Sequence, residues 1–482
     1  MYERFGILVD NAWRPAASRR TLPVISPVSE EVVGVIPDGD VADADAALAS
    51  AQRGFAVWRE TAAWDRAKVL RRASELLRER NEAIAHLIST ETGKPLAEAR
   101  GETTAAADQF EWCGEEARRV YGHTIPGRSA GQRISVIYQP VGVSLALSAW
   151  NFPALLPARK IAAALAAGCS VIARPASEAA GACFEIGQAL IDAGAPPGVI
   201  TIITGPPSEL VGHFIASPIV RKVSLTGSVP VGKKVLAQCA EGMKRASMEL
   251  GGHAPAIVHR DADAAGSARA LALAKFRNAG QVCISPSRFY VHESLQRAFE
   301  QAFVETARAI IVGDGLKDGV DMGPMIRRAS AESALALIED AVGKGARLLH
   351  GGRRPVHLNK GHFIEPAVLG NVPDDARIMR EEPFAPVAPI SVFRDEDEVL
   401  ARANALPYGL AAYVFTNDAE RANRTAEGLE SGMVGVNEVL LATAEAPFGG
   451  VKESGFGREG GALGILEYLE PKYIRHRLLK TA

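Results

Sequence analysis

The chain has 482 residues, 47% of them hydrophobic and 23% charged, with a formal net charge of −2. This is globular composition with material for large cores, and the length suggests about three domains. A near-neutral chain without a long basic run argues against nucleic acid or an anionic membrane as the main partner.

The opening "MYERFGILVDNAWRP" has no apolar core of a signal peptide. The longest weakly polar stretch, residues 153–173, is interrupted by Arg159 and Lys160 and is not expected to span a bilayer. Cys113, Cys169, Cys183, Cys239 and Cys283 show no CxxC or Cys/His spacing. No disulfide framework and no metal site is expected, and a reducing cytoplasm is the expected compartment.

Residues 45–119 read as charged helices, and "RISVIYQPVGVSLALSAW" then turns to strands. From 141 to 251 strands and helices alternate. "VSLALSA" is a strand, and "ALLPARKIAAALAAG" is a helix closed by Gly168. "SVIAR" is a strand whose following helix takes Ser177 as N-cap. "VITII", "KVSLT" and "RASMEL" complete five strands of an open parallel sheet with helices on both faces. Ligands bind beyond the carboxyl ends of such strands. Those positions hold Trp150-Asn151-Phe152-Pro153, Arg174-Pro175-Ala176-Ser177, Gly205-Pro206, Thr226-Gly227-Ser228 and Glu249-Leu250-Gly251-Gly252. The unusual residues therefore cluster at one edge.

A second alternation, residues 254–437, includes "RFYVHES", "VAPISVF", "AAYVFT" and "MVGVN" and reads as another α/β domain. The final "LEPKYIRHRLLK" reads as a strand suited to pairing outside its own domain.

"GSVPVGKK", residues 227–234, nearly spells a phosphate-binding P-loop, but Lys234 replaces the hydroxyl that would hold magnesium. The loop still runs from a strand into a helix N-terminus, which suits a dinucleotide pyrophosphate. The usual G-x-G-x-x-G fingerprint is missing.

"KFRNAGQVCISPSRF" places Cys283 among small and polar residues. A nucleophilic thiol needs access, a field that favours thiolate, and donors for the oxyanion it creates. Asn151 and the Cys283 backbone N–H can supply those donors. Glu249 at a strand end can activate water. Each residue alone is more simply a turn residue, a surface charge or a packed thiol. Their convergence on one cleft edge is the signal.

"WNFP", "LTGSVPVG", "MELGG", "FRNAGQVC", "EEPFAPV" and "PFGGVKESGFGREGG" resemble the aldehyde dehydrogenase superfamily, in order and nearly end to end. Glu249 and Cys283 stand 34 residues apart, as that family places base and nucleophile. The resemblance implies a Rossmann-type cofactor domain (1–119 and 141–250), an α/β catalytic domain (251–450) and a small β oligomerisation element (120–140 and 466–482). It implies a homodimer or homotetramer. It also implies NAD(P)-dependent oxidation of an aldehyde to an acid through a thiohemiacetal and thioester on Cys283. Asn151 holds the oxyanion, Glu249 activates water, and Lys160 and Glu459 relay protons. Coenzyme A-using relatives usually lack the base matched by Glu249, so hydrolysis is expected.

By the same resemblance, Trp150, Asn151, Arg174, Ser177, Gly227, Ser228, Leu250, Glu382 and Phe384 fall on cofactor positions, with Glu382 holding the nicotinamide ribose. The family usually has lysine where this chain has Arg174, and NAD-preferring members often have glutamate at Ser177. Serine removes the repulsion of a 2′-phosphate, so the cofactor is NADP or NAD, with NADP favoured. Arg159, Arg277 and Thr443 match positions that bind the far carboxylate in succinate-semialdehyde dehydrogenases. The expected substrate is succinate semialdehyde or a similar carboxylated semialdehyde. The alternatives are a broad aliphatic or aromatic aldehyde oxidiser and a dinucleotide-binding protein without turnover. Ser285 stands where some relatives carry a redox-active second cysteine, so no disulfide switch with that neighbour is expected.

Overall fold

The computed structural model describes residues 2–478. Two large sheets organise it. In the first, the parallel strands lie in the order Ile200–Ile202, Val171–Arg174, Val143–Leu147, Val220–Thr226, Arg245–Glu249. Val143–Leu147 and Val171–Arg174 are buried throughout, as strands covered on both faces must be. The register sets Thr226 beside Glu249 and Leu147 beside Arg174, so the chemically unusual strand ends form one edge.

The expected all-parallel sheet is extended by antiparallel strands at both sides. Ile7–Val9 pairs with Ile200–Ile202 and carries Ala12–Arg14, while Gly455–Phe456 pairs with Arg245–Glu249. These segments come from far away in the chain, which is why strand–helix rhythm does not reveal them.

Every residue of the helix Leu155–Ala167 is buried, and Gly168 closes it in the left-handed region at φ +96°. The helices Ala63–Glu79 and Leu96–Glu116 cover it from the N-terminal segment. The next helix begins later than expected. Ala180, not Ser177, is the N-cap of Gly181–Asp192. The cause is tertiary: buried Glu91, from the helix Asn81–Thr92, accepts the Gly181 N–H at 2.9 Å and supplies the cap.

The second sheet has the order Arg347–His350, Ala367–Gly370, Val387–Phe393, Pro286–His292, Ala254–Val258, Ala411–Phe415, Met433–Val436. All its pairs are parallel except the first. The third unit is a three-stranded sheet. Leu469–Arg477 pairs antiparallel with Gln132–Pro140, which pairs with His123–Pro126. Leu479 and Lys480 of the expected terminal strand lie outside the described residues.

Phe289 on the central strand of the second sheet is fully buried, its ring centroid 5.2 Å from that of Phe303. Phe289→Ala is expected to cost about 3–5 kcal/mol by cavity formation. Urea unfolding measures it, and a loss below about 1 kcal/mol would show that the site collapses around the deletion.

Candidate active site

The carboxyl edge of the first sheet faces the loop that precedes Pro286–His292. Between them lies a cavity of about 310 Å³. Trp150, Asn151, Gly227, Ser228, Glu249, Leu250, Cys283, Glu382, Phe384 and Glu459 line it, with Thr226, Leu156 and Phe448 among their neighbours. Ten expected site residues are thus brought together from distant parts of the chain.

The cysteine loop is shaped by unusual backbone. Asn278, Ala279 and Gly280 all have positive φ, at 48°, 53° and 70°. At Gly280 a Cβ would meet the Ala385 carbonyl oxygen at 2.2 Å, so only glycine fits against the segment that carries Glu382 and Phe384. The Gln281 side chain accepts the Ile326 N–H at 2.9 Å and donates to the Asn278 carbonyl at 3.1 Å. The loop is therefore held rigidly before Cys283.

Asn151 is buried, and its Nδ2 donates to the Gln281 carbonyl at 3.1 Å. Its own carbonyl accepts from Lys94 Nζ at 2.9 Å and from Asn278 Nδ2 at 3.1 Å. Lys94 is paired with Glu102, both side chains fully removed from water. The other oxygen of Glu102 accepts the Ala154 N–H at 2.8 Å, capping the helix that follows Asn151. Sequence reasoning missed Lys94 and Glu102. Lys94 stands in the turn between Gly93 and Pro95 and Glu102 in the helix Leu96–Glu116, and nothing local distinguishes them from surface residues.

Glu249 is buried, and neither of its carboxylate oxygens has a hydrogen-bond partner. Burial and the neighbouring Glu459 push its proton affinity well above the usual carboxylate range, against Lys160 and Arg159. Lys160 pairs with Glu459 and also donates to Thr226. The thiol of Cys283, at the cavity surface, is pushed up to about 12 by burial. Arg159 pulls the other way, while Glu382 and Glu249 add to the rise.

Arg159 is 2% exposed and lines neither this cavity nor its neighbour. Its guanidinium lies 4.1 Å from the Phe448 ring centroid, with Nε and one terminal nitrogen unpartnered. Arg277 and Thr443 line a second cavity, of about 720 Å³, on the other side of Leu155 and Leu156. Arg174 and Ser177 lie outside both. The Arg174 guanidinium donates to the Gly205 carbonyl at 2.8 Å, and its Nε has no partner.

The residues fit a dinucleotide. The helix Val229–Glu241 follows Ser228 without a side-chain cap, which leaves the Val229 and Val231 N–H groups on either side of Pro230 for phosphate. Trp150, Leu250, Glu382 and Phe384 then lie in the cavity that holds the thiol.

A parallel α/β sheet facing a strained cysteine loop, with an unpartnered buried carboxylate between them, defines a dinucleotide-dependent enzyme with a thiol nucleophile. The comparisons give the family. A sequence model of the aldehyde dehydrogenase family matches residues 13–474, and the chain belongs to that family. It is 42% identical to the glutarate-semialdehyde dehydrogenase of Pseudomonas aeruginosa over 97% of this chain and 96% of that one. It is 40% identical to the NADP-dependent succinate-semialdehyde dehydrogenase of Escherichia coli, with the same coverage. The crystal structure of an aldehyde dehydrogenase from Brucella melitensis biovar abortus 2308 superposes with a TM-score of 0.96, at 43% identity and 98% coverage of both chains. The protein is an NAD(P)-dependent aldehyde dehydrogenase. No helix among the described residues is long and apolar enough to cross a membrane.

The buried Arg159 charge favours the thiolate of Cys283 from behind Phe448, and replacing it by methionine removes that cation. Arg159→Met is expected to slow alkylation of Cys283 by iodoacetamide at pH 8 by about threefold or more. Unchanged alkylation in a folded variant would show that the guanidinium does not act on the sulfur.

Proposed function

We propose that the enzyme oxidises a short semialdehyde bearing a far-end carboxylate, such as succinate or glutarate semialdehyde, to the diacid. The observation that carries this reading is a pair of arginines near the nucleophile without ion-pair partners among the described residues. Arg277 lies 5.2 Å from the Phe152 ring centroid, and Arg159 stacks on Phe448. Glu98 faces Arg277, but it already accepts the Asn278 N–H at 3.0 and 3.2 Å. Arg277 is left to meet an anion in the second cavity, with the Thr443 hydroxyl beside it. Arg159 adds its charge from behind the wall.

The residues then act in sequence. The Cys283 thiolate adds to the aldehyde carbon, forming the C–S bond and an oxyanion. Asn151 Nδ2 and the Cys283 N–H donate to that oxygen. A bound nicotinamide would supply the hydride acceptor, and loss of hydride from that carbon would leave it on sulfur as a thioester. Glu249 takes a proton from water, whose oxygen attacks the thioester and releases the acid and the thiolate. Glu459 and Lys160 pass that proton onward.

Glu382 would hold the nicotinamide ribose, and Phe384 and Trp150 border the ring. Arg174 and Ser177 would meet the adenosine ribose. No carboxylate stands at residue 177 to repel a 2′-phosphate, so NADP is favoured over NAD.

The domain reading is residues 1–119 and 141–250 for cofactor, 251–450 for catalysis, and 120–140 with 466–482 for assembly. The three-stranded sheet exposes Ile125, Ile137 and Tyr473, which supports a homodimer or homotetramer built through it. Five free thiols support a reducing cytoplasm.

Arg277→Met is expected to lower kcat/KM for succinate semialdehyde by about 10–100-fold, while butanal changes by less than about threefold. Equal losses on both aldehydes would reject the carboxylate reading. Ser177→Glu is expected to lower the NADP-to-NAD ratio of kcat/KM by about tenfold or more. A parent enzyme that strongly prefers NAD would defeat the cofactor assignment.

A further inference from the structure

Asn278, Ala279 and Gly280, the residues of positive φ ahead of Cys283, form a turn that needs an anchor. The left-handed region is costly for a residue with a Cβ, and Ala279 has no polar side chain to offset it. The turn starts where the helix Ala264–Phe276 ends. The Arg277 N–H still bonds back to the Leu273 carbonyl of that helix. The next N–H, that of Asn278, goes to Glu98, whose two carboxylate oxygens accept it at 3.0 and 3.2 Å.

Glu98 stands in the first turn of the helix Leu96–Glu116, one turn before Glu102. Residues four apart lie on one helix face. Glu102 accepts the N–H groups of Ala154 and Leu155, just after Asn151. Glu98 accepts from the turn that leads into Cys283. Neighbouring carboxylates on one helix thus hold both segments, the one that carries Asn151 and the one that carries Cys283. The segments are also tied to each other. Asn278 Nδ2 donates to the Asn151 carbonyl at 3.1 Å and to the Gln281 carbonyl at 3.3 Å.

We propose that Glu98 is a positioning residue: by accepting the Asn278 N–H it holds the strained turn so that the Cys283 sulfur and the Asn151 amide face one reacting carbon. The proposal rests on the reading of Cys283 as nucleophile and Asn151 as oxyanion donor. What the reaction requires of residue 98 is an acceptor oxygen within reach of that N–H, not a charge. Glu98→Gln keeps such an oxygen. Glu98→Asp keeps the charge but draws the oxygens back by one methylene. Glu98→Leu keeps neither.

The test is steady-state turnover of butanal and of succinate semialdehyde by the full-length parent and these three variants, with thermal melting of each. Turnover is counted per Cys283 that iodoacetamide alkylates, which removes the loss that misfolding alone would cause. Glu98→Asp and Glu98→Leu are expected to lose about tenfold or more in kcat on both aldehydes, because a misplacement of about 1 Å can cost about a hundredfold. The KM for butanal is expected to stay within about threefold, and Glu98→Gln to keep kcat within about threefold of the parent. A site-counted kcat unchanged in Glu98→Asp or Glu98→Leu overturns the proposal. So does a loss in Glu98→Gln as large as in Glu98→Asp, or failure of Glu98→Gln to fold, because an acceptor oxygen would then not suffice. If Glu98→Leu does not fold, the contrast between Glu98→Asp and Glu98→Gln decides by the same criteria. A fall confined to succinate semialdehyde also overturns it, since that would place Glu98 with Arg277 in substrate binding. Parental turnover by Cys283→Ala would instead remove the nucleophile reading itself.

Discussion

Glu249, Glu459, Lys160 and Arg159 are buried together around one thiol, each at most 5% exposed. Charges out of water persist only where they compensate one another. Here two cations balance two carboxylates, and Lys160 is committed to Glu459. Removing one member of such a set leaves its partner buried and uncompensated, a penalty of about 3–5 kcal/mol. That balance leaves Glu249 with both oxygens unengaged. A carboxylate already bound by donors is a poor base, because the donors stabilise its charged form. Glu249 has only fields around it, so it remains able to take a proton.

The same logic fixes Asn151, the proposed oxyanion donor. All residues of the helix Leu155–Ala167 are buried, so its first N–H groups cannot turn to water. Glu102 accepts from Ala154 and Leu155, and Lys94 neutralises Glu102 while binding the Asn151 carbonyl. One buried ion pair thus caps a helix and sets the position of an amide more than fifty residues away. Asn151 is also bonded to the cysteine loop through Gln281. Asn151 and the loop that carries Cys283 are therefore positioned against each other rather than by two separate scaffolds.

The strand–helix rhythm of residues 141–251 was legible because parallel strands buried on both faces read as short apolar runs, and Gly168 marks a helix end. The strand ends then gave Asn151, Gly227 and Glu249 a shared edge before any fold was known. Motif resemblance supplied Glu382, Phe384 and Glu459, which no period or spacing singles out. What stayed hidden was tertiary. Ser177 has the chemistry of an N-cap, but Glu91 takes the helix start. Gly455–Phe456 is too short to read as a strand, and the pairing with Arg245–Glu249 alone reveals it. Lys94, between Gly93 and Pro95, and Glu102 are ordinary charges in the sequence, and only their burial shows that each must answer the other.

Leu156 lines the cavity that holds the thiol, and its chain neighbour Leu155 lines the one that holds Arg277. Most of the acids around the second cavity are paired, while Glu445, also on its wall, has no ion-pair partner among the described residues. Asp108 and Glu111 are held by Arg78, and Glu115 by Arg118. Arg277 has no ion-pair partner among the described residues, so it is a cation available to a ligand there. The proposed semialdehyde would have to reach past these two leucines to engage Arg277 and the thiol at once. Its binding energy at the anionic end then orients the carbonyl on the sulfur, which an uncharged aldehyde of the same length cannot do.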